Sequence, residues 1–432
     1  MMIYLLFGAD SLKIMQILTR LIDKEYNLNI QDFYKYKTIR KIYDNINASQ
    51  EFSSMGLKNF IYYDFDDSFS GKKEEFSNIL LTGSTGFLGS HILYDLIKNT
   101  EATVYCLIRE KNNMLPEQRL RQTLEFYFGN ELNDLIGSRI IVVHGNIINE
   151  KFDLLDIIYK RLGNIVDVVV HSAALVKHYG DVEVFEQVNT QGTANMIKFC
   201  KEFNIKLNYI STTSVFGVNA KETFDERSLY VGQEYNSNVY INTKFESEYL
   251  IWKGMKNGLN AIVYRLGNIA PRYNDGLFQQ NKEENAFLNR IIAFIKLKFI
   301  PESMLNLYVD ISPVDICSKI ITQILMFESS YGKAFNVLNP NKLLVRDLIE
   351  YLVQKGYKIT TLTDGEFETY IKGIKKSKRI NLMGLINDIG AHYAMFNIDV
   401  KCDFTVDYLN KINLKWPEIS SSYILNYVKN YK

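Results

Sequence analysis

Hydrophobic and polar positions fall into three textures along the chain. Over residues 11–24, Leu12, Met15, Leu18 and Ile22 recur at helical spacing, and Ile14, Ile17 and Leu21 widen the stripe. A second short helical pattern, "IQDFYKYKTIRKIYDNI", follows at 30–46. Residues 47–76 turn irregular and polar, and read as a linker with one hydrophobic docking segment, "FIYYDF".

From Asn78 the texture changes to apolar runs alternating with helical stretches. "NILLTGSTGFLGSHILYDLIKN" reads as a buried strand, a glycine turn and a helix. "ATVYCLIRE", "RIIVVHGNI", "VDVVVHSAA", "KLNYISTTSVFG" and "NAIVYRLGNIA" add five more strands. Strands apolar on both faces and separated by helices predict an α/β, doubly wound parallel sheet with helices on either side. After residue 270 the alternation fades. "NAFLNRIIAFIKLKF", "DICSKIITQILMF" and "VRDLIEYLVQKG" read as helices of a smaller, mostly helical C-terminal lobe. The pattern thus divides the chain into segments 1–50, 51–76, 77–270 and 271–432.

Composition narrows the class. The 432 residues are 47% hydrophobic and 23% charged, as in ordinary globular proteins. A net charge of +1 offers no basic field for nucleic acid. Cys106, Cys200, Cys317 and Cys402 lie far apart without a C-x-x-C pair, which argues against a zinc site or a disulfide framework and for a reducing cytosol. No stretch approaches the ~20 apolar residues of a membrane helix. The expectation is a cytoplasmic protein with no metal, nucleic-acid or membrane partner.

Gly83, Gly86 and Gly89 form G-x-x-G-x-x-G between a strand and a helix. The first glycine permits the tight turn, the second lets backbone approach a pyrophosphate, and the third allows close helix–strand packing. The helix start then offers free N–H groups to phosphate. Thr85, Phe87 and Leu88 fill the same turn. A Rossmann-like dinucleotide site follows, against the alternative of a ligand-free glycine turn. The next strand ends in Arg109, where an NAD site carries an acidic residue, so a 2′-phosphate and NADPH are favoured. Glu110 complicates that choice, and Arg119 or Arg121 adds positive charge if the following helix folds back.

Tyr240 and Lys244, four apart in "NVYINTKFESEYL", share one helix face. Hydride transfer to a carbonyl needs a proton donor, a cation that lowers its pKa, and a hydroxyl that orients the same oxygen. "YISTTSVFG" supplies hydroxyls at a strand end. With 29 tyrosines in the chain a chance pair is expected. The order of glycine turn, hydroxyl strand end and Tyr-Lys helix is what raises the reading.

Residues 77–432 resemble the extended short-chain dehydrogenase/reductases, and within them the thioester reductase domains of nonribosomal peptide synthetases, aminoadipate reductases and carboxylic acid reductases. The resemblance rests on "LLTGSTGFLGSHIL", "CLIRE", "VVHSAALVKHYGDVEVFEQVNTQGT", "ISTTSVFG", "YINTK" and "VYRLGNIAPR". It implies Thr212 as the catalytic hydroxyl, five before Gly217, with Thr213 the near alternative. It implies Tyr240 as the acid and Lys244 as its partner. Ala173, Ala174 and Asn189 match positions near the cofactor, and Asn146 stands where many relatives have Asp near the adenine. Lys177 and His178 face either the substrate mouth or solvent.

The implied activity is NADPH-dependent release of a carrier-bound acyl or peptidyl thioester as the aldehyde, with a second round giving the alcohol. Another enzyme of the fold (an acyl-coenzyme A reductase, a nucleotide-sugar epimerase or dehydratase) and a silent binding module of a synthetase are the alternatives. Residues 1–50 resemble an acyl or peptidyl carrier domain, in which Ser11 of "GADSL" receives a 4′-phosphopantetheine arm. Ser is also a good helix N-cap. Only ten residues precede it, so the carrier is expected to be truncated, whether as a fragment of a longer chain, by a misplaced start or as a relic. With no adenylation or condensation region read in the sequence, its substrate is expected to come from upstream synthetase modules.

Overall fold

The computed structural model describes residues 57, 59–176, 180–236, 238–282, 285–376 and 400–428. Segment 1–50 with Ser11, and Lys177 and His178, lie outside the described residues.

Seven strands form the central sheet: β1 (Asn78–Thr82), β2 (Thr103–Ile108), β3 (Ile140–His144), β4 (Val168–His171), β5 (Lys206–Thr212), β6 (Ala261–Leu266) and β7 (Ala334–Val337). Their order is β7-β6-β5-β4-β1-β2-β3, with every pair parallel. The order reverses between β1 and β4, and a ligand crevice belongs above that switch point.

The helices used below are α1 (Phe87–Asn99), α2 (Pro116–Phe128), α3 (Asp156–Ile165), α4 (Gly192–Phe203), α5 (Val239–Lys256), α6 (Ala286–Leu297), α7 (Val314–Ile324) and α8 (Val345–Gln354). The strand pleat sends alternate residues to opposite faces. Ile79, Leu81, Val168, Val170, Ile262 and Tyr264 pack with α1, α2 and α7. Leu80, Val169, Leu207, Ala261 and Val263 pack with α3, α4 and α5. Both faces are therefore apolar, as the continuous runs implied.

Segment 51–76 is tied to the body along its second half: Ile61–Tyr62 pairs antiparallel with Ser228–Tyr230, Lys73 bridges Phe327, and Tyr63 is 3% exposed. Nor does the sheet end at 270. After α6 the chain returns through α7 to add β7 beside β6. The alternation fades in the sequence because β7 has only four residues and an intervening excursion separates it from β6. Leu288 and Ile291 of that excursion share a separate core with Leu348, Ile349, Leu352 and Ile424, which follow β7.

Candidate active site

The turn after β1 needs its glycines for two separate reasons. Gly83 has φ +79°, and a Cβ there would lie 2.8 Å from the Ala173 nitrogen. A Cβ on Gly89 would lie 2.1 Å from the Gly83 carbonyl oxygen, so α1 seats directly on the turn. Gly89→Ala is expected to push α1 off the turn, costing about 1–3 kcal/mol and weakening dinucleotide binding. A melting curve with and without NADPH checks both. The tight cradle at a helix start suits a pyrophosphate.

A cavity of about 340 Å³ opens above the switch point. Gly83, Gly86, Phe87, Leu88 and Gly89 form one wall, and Ala174 follows from the loop after β4. Thr212, Tyr240 and Lys244 line the same cavity. Asn238 caps α5 by accepting from the Ile241 N–H, which sets Tyr240 in the first turn. The Thr212 hydroxyl hydrogen-bonds the Tyr240 side chain. It also accepts from the Ser214 N–H at 3.2 Å, whereas Thr213 turns away to the Leu266 carbonyl.

Burial pushes the Tyr240 phenol up to about 12, and the Thr212 hydroxyl acts in the opposite direction. The expected cation is present but bonded elsewhere. Lys244 Nζ donates to the Tyr209 phenol oxygen and to the Ile210 carbonyl, both at 2.7 Å. Burial pulls its ammonium down to about 7, against the charge of Glu248.

The remaining sequence candidates are not in the cavity lining. Arg119 donates to Thr85 Oγ1 at 3.0 Å and to the Arg109 carbonyl, so α2 does fold back against the glycine turn. Burial, and then the charge of nearby Arg109, lower the Arg119 guanidinium. Arg119 thus reaches the backbone of Arg109 just past the end of β2. The Ala173 N–H donates to Thr82 Oγ1, behind the turn. Asn189 sits in a π-helical turn, Glu186–Gln191, that continues into α4. Its amide accepts from Leu175 N–H at 2.7 Å and donates to Leu175 O and Thr243 Oγ1, clamping the loop after β4 to α5. Asn146 is half-buried at the end of β3, its side-chain oxygen 3.4 Å from the Ile148 N–H of its own loop.

Sequence reasoning passed over three parts of the site. One is the wall Gln279, Asn281 and Asn285, which carries no motif. A second is Tyr209, visible only as one more tyrosine in a strand. The third is a fully buried ion pair, Glu248 with Arg265 at 2.7 Å, into which Ser211 and Tyr63 also donate.

A parallel sheet in this order, with a pyrophosphate cradle at its switch point, places the chain among NAD(P)-binding oxidoreductases of the extended short-chain dehydrogenase type. The chain belongs to the male sterility protein family, an NAD-binding family whose profile matches residues 81–321. A linear gramicidin synthase from Brevibacillus parabrevis is 29% identical over 405 residues. That match takes in 89% of this chain and 8% of the synthase polypeptide, so the chain spans less than a tenth of that relative. Among solved structures, a thiolation-reductase di-domain from an archaeal nonribosomal peptide synthetase superposes with a TM-score of 0.84 at 30% identity, covering 99% of this chain and 92% of that one. The reductase domain of the aureusimine biosynthetic cluster gives 0.71 at 27%, covering 86% and 94%. Among the described residues no helix is long and apolar enough to cross a membrane.

Proposed function

We propose that the chain reduces a carrier-bound acyl or peptidyl thioester to the aldehyde with NADPH. The observation that carries this reading is the placement of Thr212, Tyr240 and Lys244 on the same cavity as the glycine turn. The similarity to a thiolation-reductase di-domain over nearly the whole chain supports a thioester on a carrier as substrate.

The glycine turn and the start of α1 hold the pyrophosphate, and bound NADPH supplies the hydride. Tyr240 donates its proton to the carbonyl oxygen of the thioester as that oxygen gains negative charge. Thr212 bonds Tyr240 and orients the same oxygen. Lys244 presents positive charge at the same wall. The tetrahedral product then breaks its C–S bond, the hydroxyl proton goes to the departing sulfur, and aldehyde and free thiol leave. A second turnover on retained aldehyde gives the alcohol.

Arg109, with Arg119 bonded to its backbone carbonyl, offers positive charge for a 2′-phosphate, which supports NADPH over NADH. Replacing both by Ala is expected to weaken NADPH binding about 10–100-fold with NADH unaffected. Titrating both cofactors checks this, and an equal loss for the two would contradict the assignment. Ser11, in the carrier-like stretch 1–50, is the proposed phosphopantetheine attachment site, and upstream synthetase modules are the proposed source of the acyl group.

The test is NADPH consumption by the purified chain with acyl-pantetheine and acyl-coenzyme A thioesters, with NADH alongside. Aldehyde and free thiol are the expected products. Tight NADPH binding with no consumption on any thioester, including one carried on an intact carrier domain, would overturn the reading.

A further inference from the structure

Lys244 is seated by a residue that nothing so far has given a role. Its ammonium makes two strong contacts, both with β5: the Tyr209 phenol oxygen and the Ile210 carbonyl, each at 2.7 Å. The same ammonium lies 4.3 Å from the centre of the Tyr209 ring. An ammonium carries three protons, so this seat engages two and leaves one on the side where Lys244 lines the cavity.

We propose that Tyr209 is a positioning residue for Lys244, holding the ammonium in one place and in its protonated form so that one proton is presented to an acceptor bound in the cavity. The surroundings make such a seat necessary. Lys244 is 3% exposed, and an ammonium taken out of water loses its charge unless acceptors replace the water.

The groups facing it come from four elements. Tyr209 stands on β5, and His171 on β4 stacks toward Tyr209 with ring centres 6.0 Å apart. Tyr240 and Glu248 flank Lys244 on its own helix, and Glu248 is bonded to Arg265 of β6 and to Tyr63. Burial pulls His171 down to about 3, with Lys244 acting the same way, so the imidazole stays neutral. Burial and the Glu248 charge push the Tyr209 phenol far above its ordinary range, so it remains a neutral phenol. Ser247 and Thr193 nearby act on the phenol in the opposite direction but do not outweigh burial. Glu248 alone opposes the loss of the Lys244 proton by charge, and its carboxylate is shared with Arg265. Direct acceptors must supply the rest, and among the described residues Tyr209 is the only side chain the structure bonds to Lys244.

The role in turnover rests on the thioester reductase reading; the seat itself does not. The experiment therefore has two parts, both on the full chain. In the first, the protein carries lysine labelled with 13C at the ε position, and Lys244 is assigned by its loss in Lys244→Arg. Its titration is compared between the native chain and Tyr209→Phe. The phenylalanine keeps the ring and removes the acceptor, so the Lys244 midpoint is expected to fall by about one pH unit. Coincident midpoints overturn the proposal.

If the variant does not fold, the native chain labelled at tyrosine 13Cζ gives the same answer. The Tyr209 resonance must inflect at the Lys244 midpoint, and a featureless Tyr209 titration overturns the proposal. In the second part, thioester-dependent NADPH oxidation by Tyr209→Phe is expected to show its alkaline limb displaced to lower pH by the same amount. The thioester KM is expected to stay within about twofold, since Tyr209 touches neither reactant. A displaced Lys244 midpoint without any thioester reduction leaves the seat standing and removes the reaction. An active enzyme with an undisplaced midpoint does the reverse.

Discussion

Tyr240→Phe is expected to lower thioester-dependent NADPH oxidation by on the order of 10²-fold or more while NADPH binds as before. The substitution deletes one oxygen. The ring keeps its place in the first turn of α5, which Asn238 caps independently. What disappears is the proton donor, together with the partner of the Thr212 hydroxyl. The phenol stands near 12 in the absence of substrate, so it is protonated throughout the working range. No alkaline loss of activity is therefore expected from this group in that range, and one is expected from Lys244, whose ammonium burial pulls down to about 7. Measured kcat for the variant settles the point. Turnover within a few-fold of the native chain would remove Tyr240 from the chemistry.

The largest expected loss of stability comes from Arg265→Met. Arg265 and Glu248 are both fully buried, and the guanidinium also donates to the Asp225 and Ser228 carbonyls. Removing it leaves the Glu248 carboxylate buried without its charge partner, which costs about 3–5 kcal/mol. Replacing both members by apolar residues is expected to recover a large part of that loss, because the pair contributes less than its separated halves cost. Urea denaturation of the two variants tests this. A loss from Arg265→Met below ~1 kcal/mol would mean that water or another cation reaches Glu248. Activity should suffer alongside stability. Glu248 is one helical turn beyond Lys244 and bonds Ser211, the neighbour of Thr212, so one carboxylate ties the tyrosine-lysine helix to the hydroxyl strand.

Much of this was legible in the sequence where local pattern and final environment agree. Six strands were readable because a strand buried on both faces has no choice but to be continuously apolar. Gly83 and Gly89 were readable because backbone contacts below 3 Å leave room for nothing else. Tyr240 and Lys244 were readable because a helix converts a spacing of four into a shared face. What escaped is what only tertiary contact decides. β7 holds four residues, and its place beside β6 depends on the α7 crossover. Gln279 and Asn281 reach the cavity because Phe278 packs edge-on against Phe87 and the Gln280 N–H bonds the Tyr127 hydroxyl. Tyr63 falls in the expected docking segment, but its partner Glu248, 185 residues further on, is set by tertiary contact alone. Tyr209 stands 35 residues before Lys244, and no periodicity joins them. The acceptors that β5 offers the Lys244 ammonium escape for the same reason.

The central claim is that hydride reaches the carbonyl carbon of a thioester in this cavity. The most direct measurement is a turnover with NADPH carrying deuterium at the transferable position and an acyl-pantetheine thioester, followed by mass analysis of the acyl product. The account predicts aldehyde bearing one deuterium at C1 for each thiol released. Free thiol accompanied by unlabelled carboxylic acid would mean hydrolysis, and would contradict it.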